Sequence, residues 1–351
     1  MFLKQENIRQ AVIGGALLGG GGGGAIELGM QLGFEALKQG EVVLKDIEEV
    51  SPSDLLVTCS LVGAPASTDT YIEPGHYIEA IDYLQLQTEL GISGVVSNEC
   101  GAVGCVNGWL QSSIKGLFLV DAPCNGRAHP TGLMGSMGLH RDKDYISSLA
   151  FSGGDPKKNR HIVGFCKGSI ENTAQIARYG SILAGGMVAV SRNPVESSFL
   201  RKNGAPGAIK KALEIGRAML LRESEGPEAM VSAAMEILGG EVICKGIADG
   251  VKKENQGGFD VGKMMIKGYE VTFCNEYTTL ENFEGERIAT FPDLIMTVDA
   301  LTGIPVTTAD LCSGQEVFLL KTTASNLILG SGMFCEELFE PIEIAVGKKL
   351  K

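Results

Sequence analysis

Positive charge is scarce in this chain. Thirty Lys and Arg stand against forty-two Asp and Glu, for a formal net charge of -12. Without a Lys/Arg-rich run, neither a nucleic acid nor an anionic membrane surface is expected as a partner. Aromatic residues make up 6% of the chain, and the single Trp109 reads as core. No apolar run approaches the length of a membrane span. The apolar piece at 11–18 runs into glycine with no basic start and no small-residue cleavage pattern, so it does not read as a signal peptide. Nine cysteines, an odd number scattered from Cys59 to Cys335, do not make a secreted disulfide framework, and a reducing cytoplasm is expected. Three signatures are also missing. The glycine run lacks a following Lys-Ser/Thr, it joins helix to helix rather than strand to helix, and there is no G-x-S-x-G elbow. Small molecules remain the expected partners, and assembly with further copies of the same chain is kept open.

What the chain does have is bulk and alternation. Its 351 residues, 44% hydrophobic and 21% charged, suffice for two domains with cores of their own. A continuous apolar run at 55–62, bounded by Pro52 and Gly63-Ala64-Pro65, reads as a strand buried on both faces. Ile78, Ile81 and Leu84 then mark a helix ending near Gly91. Short strands at 94–97 and 116–120 deliver Asn98-Glu99 and Asp121, with a small-residue helix at 106–113 between them. This alternation predicts an α/β domain over 1–168 with a mostly parallel sheet, whose ligands would bind beyond the strand carboxyl ends. Residues 169–351 read as a second domain. Its part at 169–238 is mostly helical, with one apolar run at 187–190 and a helix at 208–221. Its part at 239–351 is β-rich, with strands at 241–244, 263–266, 270–274, 294–298 and 316–321 and glycines between them.

Six consecutive glycines at 19–24 precede a helix on which Ile26, Met30, Gly33 and Leu37 share a face. Ordering such a run is entropically costly, so it implies close backbone approach or positive φ. The amides of Gly21, Gly22, Gly23 and Gly24 at a helix start would suit an anion or a developing oxyanion; the alternative is a hinge between two helices.

Chemistry-bearing residues gather on the loops after the first strands. Glu99 and Asp121 are carboxylates at strand ends, and two carboxylates in one cleft have their pKa values driven apart. Arg127 suits bidentate capture of a substrate carboxylate, or else pairs with Asp121 to hold the loop. Cys124, with His129 as its base, has the residue types of an activated nucleophile. The spacings Cys100-x4-Cys105 and Cys124-x4-His129 also offer zinc donors, although not at the usual intervals, so the presence of a metal stays open. Buried, reduced core cysteine is the plainer reading of these positions. No other cofactor is expected. His76, His140 and His161 are isolated in sequence and read as structural. Asn275-Glu276 and Asp293 lie at strand ends from which an acidic side chain would reach an interdomain cleft.

Taken in order, these segments resemble a known family. The glycine-rich 18–24, Gly63-Ala64-Pro65, Glu99 with Gly101, and Asp121 followed by Gly126-Arg127-Ala128 and Pro130 carry the likeness. So do Ile215-Gly216-Arg217 within 207–218, Gly258-Phe259, Asn275-Glu276 and Pro292-Asp293-Leu294-Ile295. Over nearly the whole chain they resemble the S-methyl thiohydantoin desulfurase-like proteins, a family associated with hydantoin utilisation. The resemblance implies an N-terminal α/β domain, a C-terminal β-containing domain and activity on five-membered cyclic amides or thioamides. The chain departs from the family where Pro123 and Cys124 replace an acidic residue and a glycine. It departs again where His129 and Thr131 replace an aromatic and a glutamate. The reading that follows is a hydrolase of a hydantoin-like ring. Glu99 or Asp121 would activate water, the glycine amides would steady negative charge, and Cys124 with His129 would supply a nucleophile or proton relay. Arg127, Asn275 and Glu276 would hold the substrate. The alternative is a non-catalytic binding or regulatory subunit beside a hydantoinase-type enzyme.

Overall fold

The computed structural model describes residues 1–63, 69–256 and 259–351. Ala64 and Pro65 of the first loop and Gly257 and Gly258 of a later turn lie outside the described residues. Among the described residues, no helix is long and apolar enough to cross a membrane.

Two sheets carry the architecture. The first uses β1 (Leu44–Lys45), β2 (Leu55–Gly63), β3 (Gly94–Ser97), β4 (Phe118–Val120), β5 (Ser147–Gly153), β6 (Ile162–Gly168) and β7 (Met187–Glu196), in the order β1-β4-β3-β2-β7-β5-β6. Pairing from β1 through β4 and β3 to β2 is parallel. From β2 through β7 and β5 to β6 it is antiparallel. The sheet is therefore mixed, half parallel rather than mostly so. The physical reason is the hairpin of β5 and β6, whose strands are rich in serine and glycine and show little sequence signal. After it, β7 enters antiparallel between β5 and β2. Strand β7, from the stretch read as the second domain, thus pairs within the first sheet.

The second sheet is antiparallel throughout: β8 (Glu241–Gln256), β9 (Phe259–Ile266), β10 (Tyr269–Cys274), β11 (Glu276–Glu281), β12 (Arg287–Thr290), β13 (Leu294–Asp299), β14 (Pro305–Val306) and β15 (Glu316–Thr322), in the order β12-β11-β10-β9-β8-β15-β13-β14. Strand β8 spans both halves, pairing β15 with its first part and β9 from Ala248 onward, the β9 pairing being irregular between Asp249 and Lys252.

The helices are α1 (Gln5–Gly19), α2 (Ile26–Gln39), α3 (Pro74–Thr88), α4 (Trp109–Lys115), α5 (Ile170–Leu183), α6 (Ser197–Asn203), α7 (Ala208–Leu221), α8 (Pro227–Leu238) and α9 (Glu340–Val346). One apolar cluster runs from α1 and β2 through α7 and α8 to β10, β13 and β15, so the two sheets share a continuous core. Helix α1 is its spine: every residue from Ala11 to Gly19 is buried. It crosses α7 backbone to backbone. A Cβ on Gly14 would lie 1.8 Å from the Ala212 carbonyl oxygen, and one on Gly216 would lie 1.9 Å from that of Gln10.

This crossing sets the sign of a substitution. In a free helix Gly→Ala is stabilising, but at the crossing the backbones must part. Gly14→Ala is expected to lower stability by about 1–3 kcal/mol, measured by urea unfolding; a gain would contradict the crossing.

Candidate functional site

The loop after β3 and the loop after β4 are laced together by backbone. Cys124 N–H donates to the Ser97 carbonyl at 2.9 Å, and Cys100 N–H to that of Asn125 at 3.1 Å. Glu99 and the segment from Cys124 to His129 therefore face each other at the parallel edge of the first sheet. From the other side, the second sheet grips the glycine bend. Tyr277 N–H donates to the Gly20 carbonyl and Thr308 N–H to that of Gly21, both at 2.8 Å, while Val103 N–H donates to Gly23 at 2.9 Å. The glycines are required there. Gly20, Gly21, Gly23 and Gly24 have positive φ. A Cβ on Gly22 would lie 2.0 Å from Glu276 Oε1, and one on Gly20 would lie 2.4 Å from Arg127 Nη2. The bend is wedged, not a free hinge.

Arg127 is fully buried. Its Nη1 donates to the carbonyls of Pro292, at 3.1 Å, and Asp293, and its Nε to that of Ala128 at 3.3 Å. The guanidinium stacks 5.0 Å from the Phe291 ring centre. Most of the fork expected to clamp a substrate carboxylate is thus spent tying the loop after β4 to the second sheet. Only Nη2 lacks a partner. Nor does Arg127 pair with Asp121; its acidic neighbours are Glu276, Asp293 and Glu99. Burial lowers its pKa to about 10, which leaves it charged at neutral pH.

Glu99 keeps 15% of its side chain open to solvent. Desolvation pushes its pKa up to about 7, against the pull of a backbone hydrogen bond at His129 and the charges of Arg192 and Arg127. His129 Nε2 lies 3.3 Å from Glu99 Oε2. Desolvation drives the imidazole down to about 4, so the ring is neutral. Its Nδ1 lies 2.8 Å from the Thr131 carbonyl, which can only accept, so Nδ1 carries the ring proton. Nε2 is then a bare acceptor facing Glu99, matched when Glu99 holds a proton. Glu276, buried beneath Gly22, has its pKa raised well above the ordinary value by desolvation and by Glu99. Asn275 holds the junction: its Oδ1 accepts from Asp260 N–H at 2.9 Å and its Nδ2 donates to the Pro130 carbonyl at 3.4 Å.

Two expected catalytic residues lie beside this cluster with other partners. Asp121 Oδ1 accepts from the Ile209 and Lys210 amides at 2.8 and 3.4 Å, and the Asp121 carbonyl accepts from Gly207. It caps the N-terminus of α7, where a carboxylate satisfies orphan donors and the dipole. Cys124 packs in a separate apolar cluster, with its Sγ 3.3 Å from Thr58 Oγ1. Burial pushes its thiol up to about 11. Among the described residues no hydrogen bond joins Cys124 to His129, so the nucleophile and base pair is not assembled. Cys100 and Cys105 are buried neighbours in the main core. Among the described residues, the donor set fit for a metal lies elsewhere, at His140, Cys335 and Glu337.

Arg192 was not anticipated. It sits on β7 opposite Thr58 and Leu149, is buried, and has an unpartnered Nε. Its charge acts on Glu99, Cys124 and His129. An arginine two residues past the apolar run at 187–190, on the same strand, was the available signal, since unpaired charge is rarely buried.

Two tests follow. Removing the guanidinium of Arg127 orphans three buried carbonyls, so Arg127→Met is expected to cost on the order of 3 kcal/mol in urea unfolding. Glu99, whose folded pKa is raised from 4.5 to about 7, holds more protons folded than unfolded. Its contribution to stability is present below pH 4.5 and is lost as pH rises through about 7. Glu99→Gln should therefore stabilise the protein more at pH 8 than at pH 5, by up to about 3 kcal/mol. An equal effect at both pH values would contradict the burial of the carboxyl.

Comparison with known proteins agrees with this architecture. Residues 6–163 match the family model described as the S-Me-THD-like N-terminal domain, and residues 169–332 match the C-terminal one. A crystal structure of a protein from Chromobacterium violaceum is similar at 18% identity and a TM-score of 0.74, covering 98% of this chain and 97% of that chain. That likeness speaks for the fold alone. No curated protein matches the chain.

Proposed function

The chain belongs to the S-Me-THD-like family over nearly its whole length, and on that premise we propose that it hydrolyses an S-methyl thiohydantoin or a related five-membered cyclic amide. The observation that carries this reading is Glu99, a partly open carboxyl with a pKa pushed up to about 7, beside a neutral His129 and two buried arginines. A general base works best when its pKa lies near the operating pH.

In the proposed reaction Glu99 takes a proton from water as the water oxygen attacks the ring carbon that bears sulfur. The C–O bond forms and negative charge builds on the ring nitrogen, facing the fixed charges of Arg192 and Arg127. Preorganised charge of this kind is effective because it costs no reorganisation during the step. The C–S bond then breaks, Glu99 returns the proton to the sulfur, and methanethiol leaves the hydantoin-type product. His129, with its bare Nε2 toward Glu99, accepts a hydrogen bond from the protonated carboxyl and holds it in place between the steps. In this scheme Asp121 and Cys124 support the scaffold rather than the chemistry. The glycine bend brings the two halves of the site together.

The assay is methanethiol release from S-methyl thiohydantoins by the purified protein. Glu99→Gln is expected to lower kcat/KM by about 10²–10⁴-fold, while Cys124→Ala and Asp121→Asn lose activity only in proportion to lost folded protein. The wild-type kcat/KM should rise with pH through about 7, as Glu99 loses its proton. Full activity in Glu99→Gln would rule out this assignment.

A further inference from the structure

A second cluster lies away from Glu99, between the loop after His129 and the C-terminal segment. His140, Cys335 and Glu337 place one imidazole nitrogen, one thiol sulfur and one carboxylate oxygen within 4.8 Å of one another. The three come from two segments almost two hundred residues apart in sequence, so local turn chemistry does not explain their meeting.

The detail suits a cation. His140 Nε2 and Glu337 Oε1 are 3.0 Å apart. Two donors at about 2.0–2.1 Å from one tetrahedral ion stand about 3.3–3.4 Å apart, so a parting of a few tenths of an ångström exchanges this hydrogen bond for a shared ion. The other ring nitrogen, Nδ1, is 3.1 Å from Ser136 Oγ, the kind of outer partner that fixes a ligating imidazole. Cys335 is buried with its Sγ 3.6 Å from the Ser331 carbonyl, and the His140 side chain is 7% exposed. Glu337 is 47% exposed, so solvent supplies the fourth position from its side. Arg141 holds the same carboxylate through Nε and Nη2, at 2.6 and 2.8 Å, and competes with a cation for it.

We propose that His140, Cys335 and Glu337 form a zinc site that ties the C-terminal segment to the loop bearing Gly135. Thiolate and imidazole together select zinc over the hard cations magnesium and calcium. Binding releases the Cys335 thiol proton to solvent and draws Glu337 partly away from Arg141. The site is separate from the proposed chemistry. Its consequence there is mechanical, because a Cβ on Gly135 would lie 3.2 Å from the His129 ring, so order in this loop is order against that imidazole.

The test uses the full-length protein, stripped with chelator, dialysed and titrated with Co²⁺ and then Zn²⁺. One equivalent of Co²⁺ per chain should give a thiolate-to-cobalt charge-transfer band that Zn²⁺ abolishes, and Zn²⁺ should raise Tm. Cys335→Ser and His140→Ala should lose the band, and Cys312→Ser, at an exposed thiol, should keep it. Arg141→Ala should tighten Zn²⁺ binding by roughly two- to fivefold. X-ray absorption of the zinc-loaded wild type should show one sulfur neighbour, and that measurement stands even where a variant fails to fold. Absence of the band, its survival in Cys335→Ser, or a zinc shell without sulfur would overturn the proposal.

Discussion

The account depends on the closeness with which the bend between α1 and α2 is held. Its carbonyls at Gly20 and Gly21 accept from the second sheet, and that of Gly23 accepts from the loop after β3. Any side chain on Gly20 to Gly24 would collide with a neighbour at less than 3 Å. Six glycines are entropically expensive to order, and the expense is offset by letting two sheets meet at backbone distance. That meeting places Glu276 and Arg127, anchored to the second sheet, within electrostatic range of Glu99 on the first.

Within the joined cluster one cause acts in two directions. Desolvation raises the carboxyl of Glu99 to about 7 and lowers the imidazole of His129 to about 4, because it penalises whichever form is charged. Arg127, with its pKa still about 10, keeps its charge, while burial lowers Arg192 from its ordinary value against the pull of Cys124 and Glu99. A proton at neutral pH is therefore finely balanced on Glu99, and fixed positive charge surrounds it. Asp121 shows the contrast. It too is raised by burial, to about 6, but its Oδ1 is committed to the amides of α7, so its environment makes it a cap.

Much of this was legible from sequence, for identifiable reasons. Strong apolar runs located β2, β3, β10, β13 and β15, and the helix at 208–221 matches α7 to the residue. Glu99, His129, Arg127, Glu276 and the glycine run were singled out, and the fold does bring them together. Other features had no local signal. The β5 and β6 hairpin mixes serine and glycine with scattered apolar residues, and without it the alternation looks mostly parallel. The tasks of Asp121 and Arg127 depend on α7 and on residues 292 and 293, far along the chain. Arg192 acquires meaning only when β7 is inserted beside β2. His140, isolated in sequence, finds Glu337 only through the packing of the C-terminal segment.

The most direct measurement is the protonation of Glu99 itself, read by carbon-13 NMR of glutamate-labelled protein, with Glu99→Gln identifying the resonance. The account predicts a carboxyl carbon that titrates near pH 7. A resonance titrating near 4.5, the ordinary value, would contradict it.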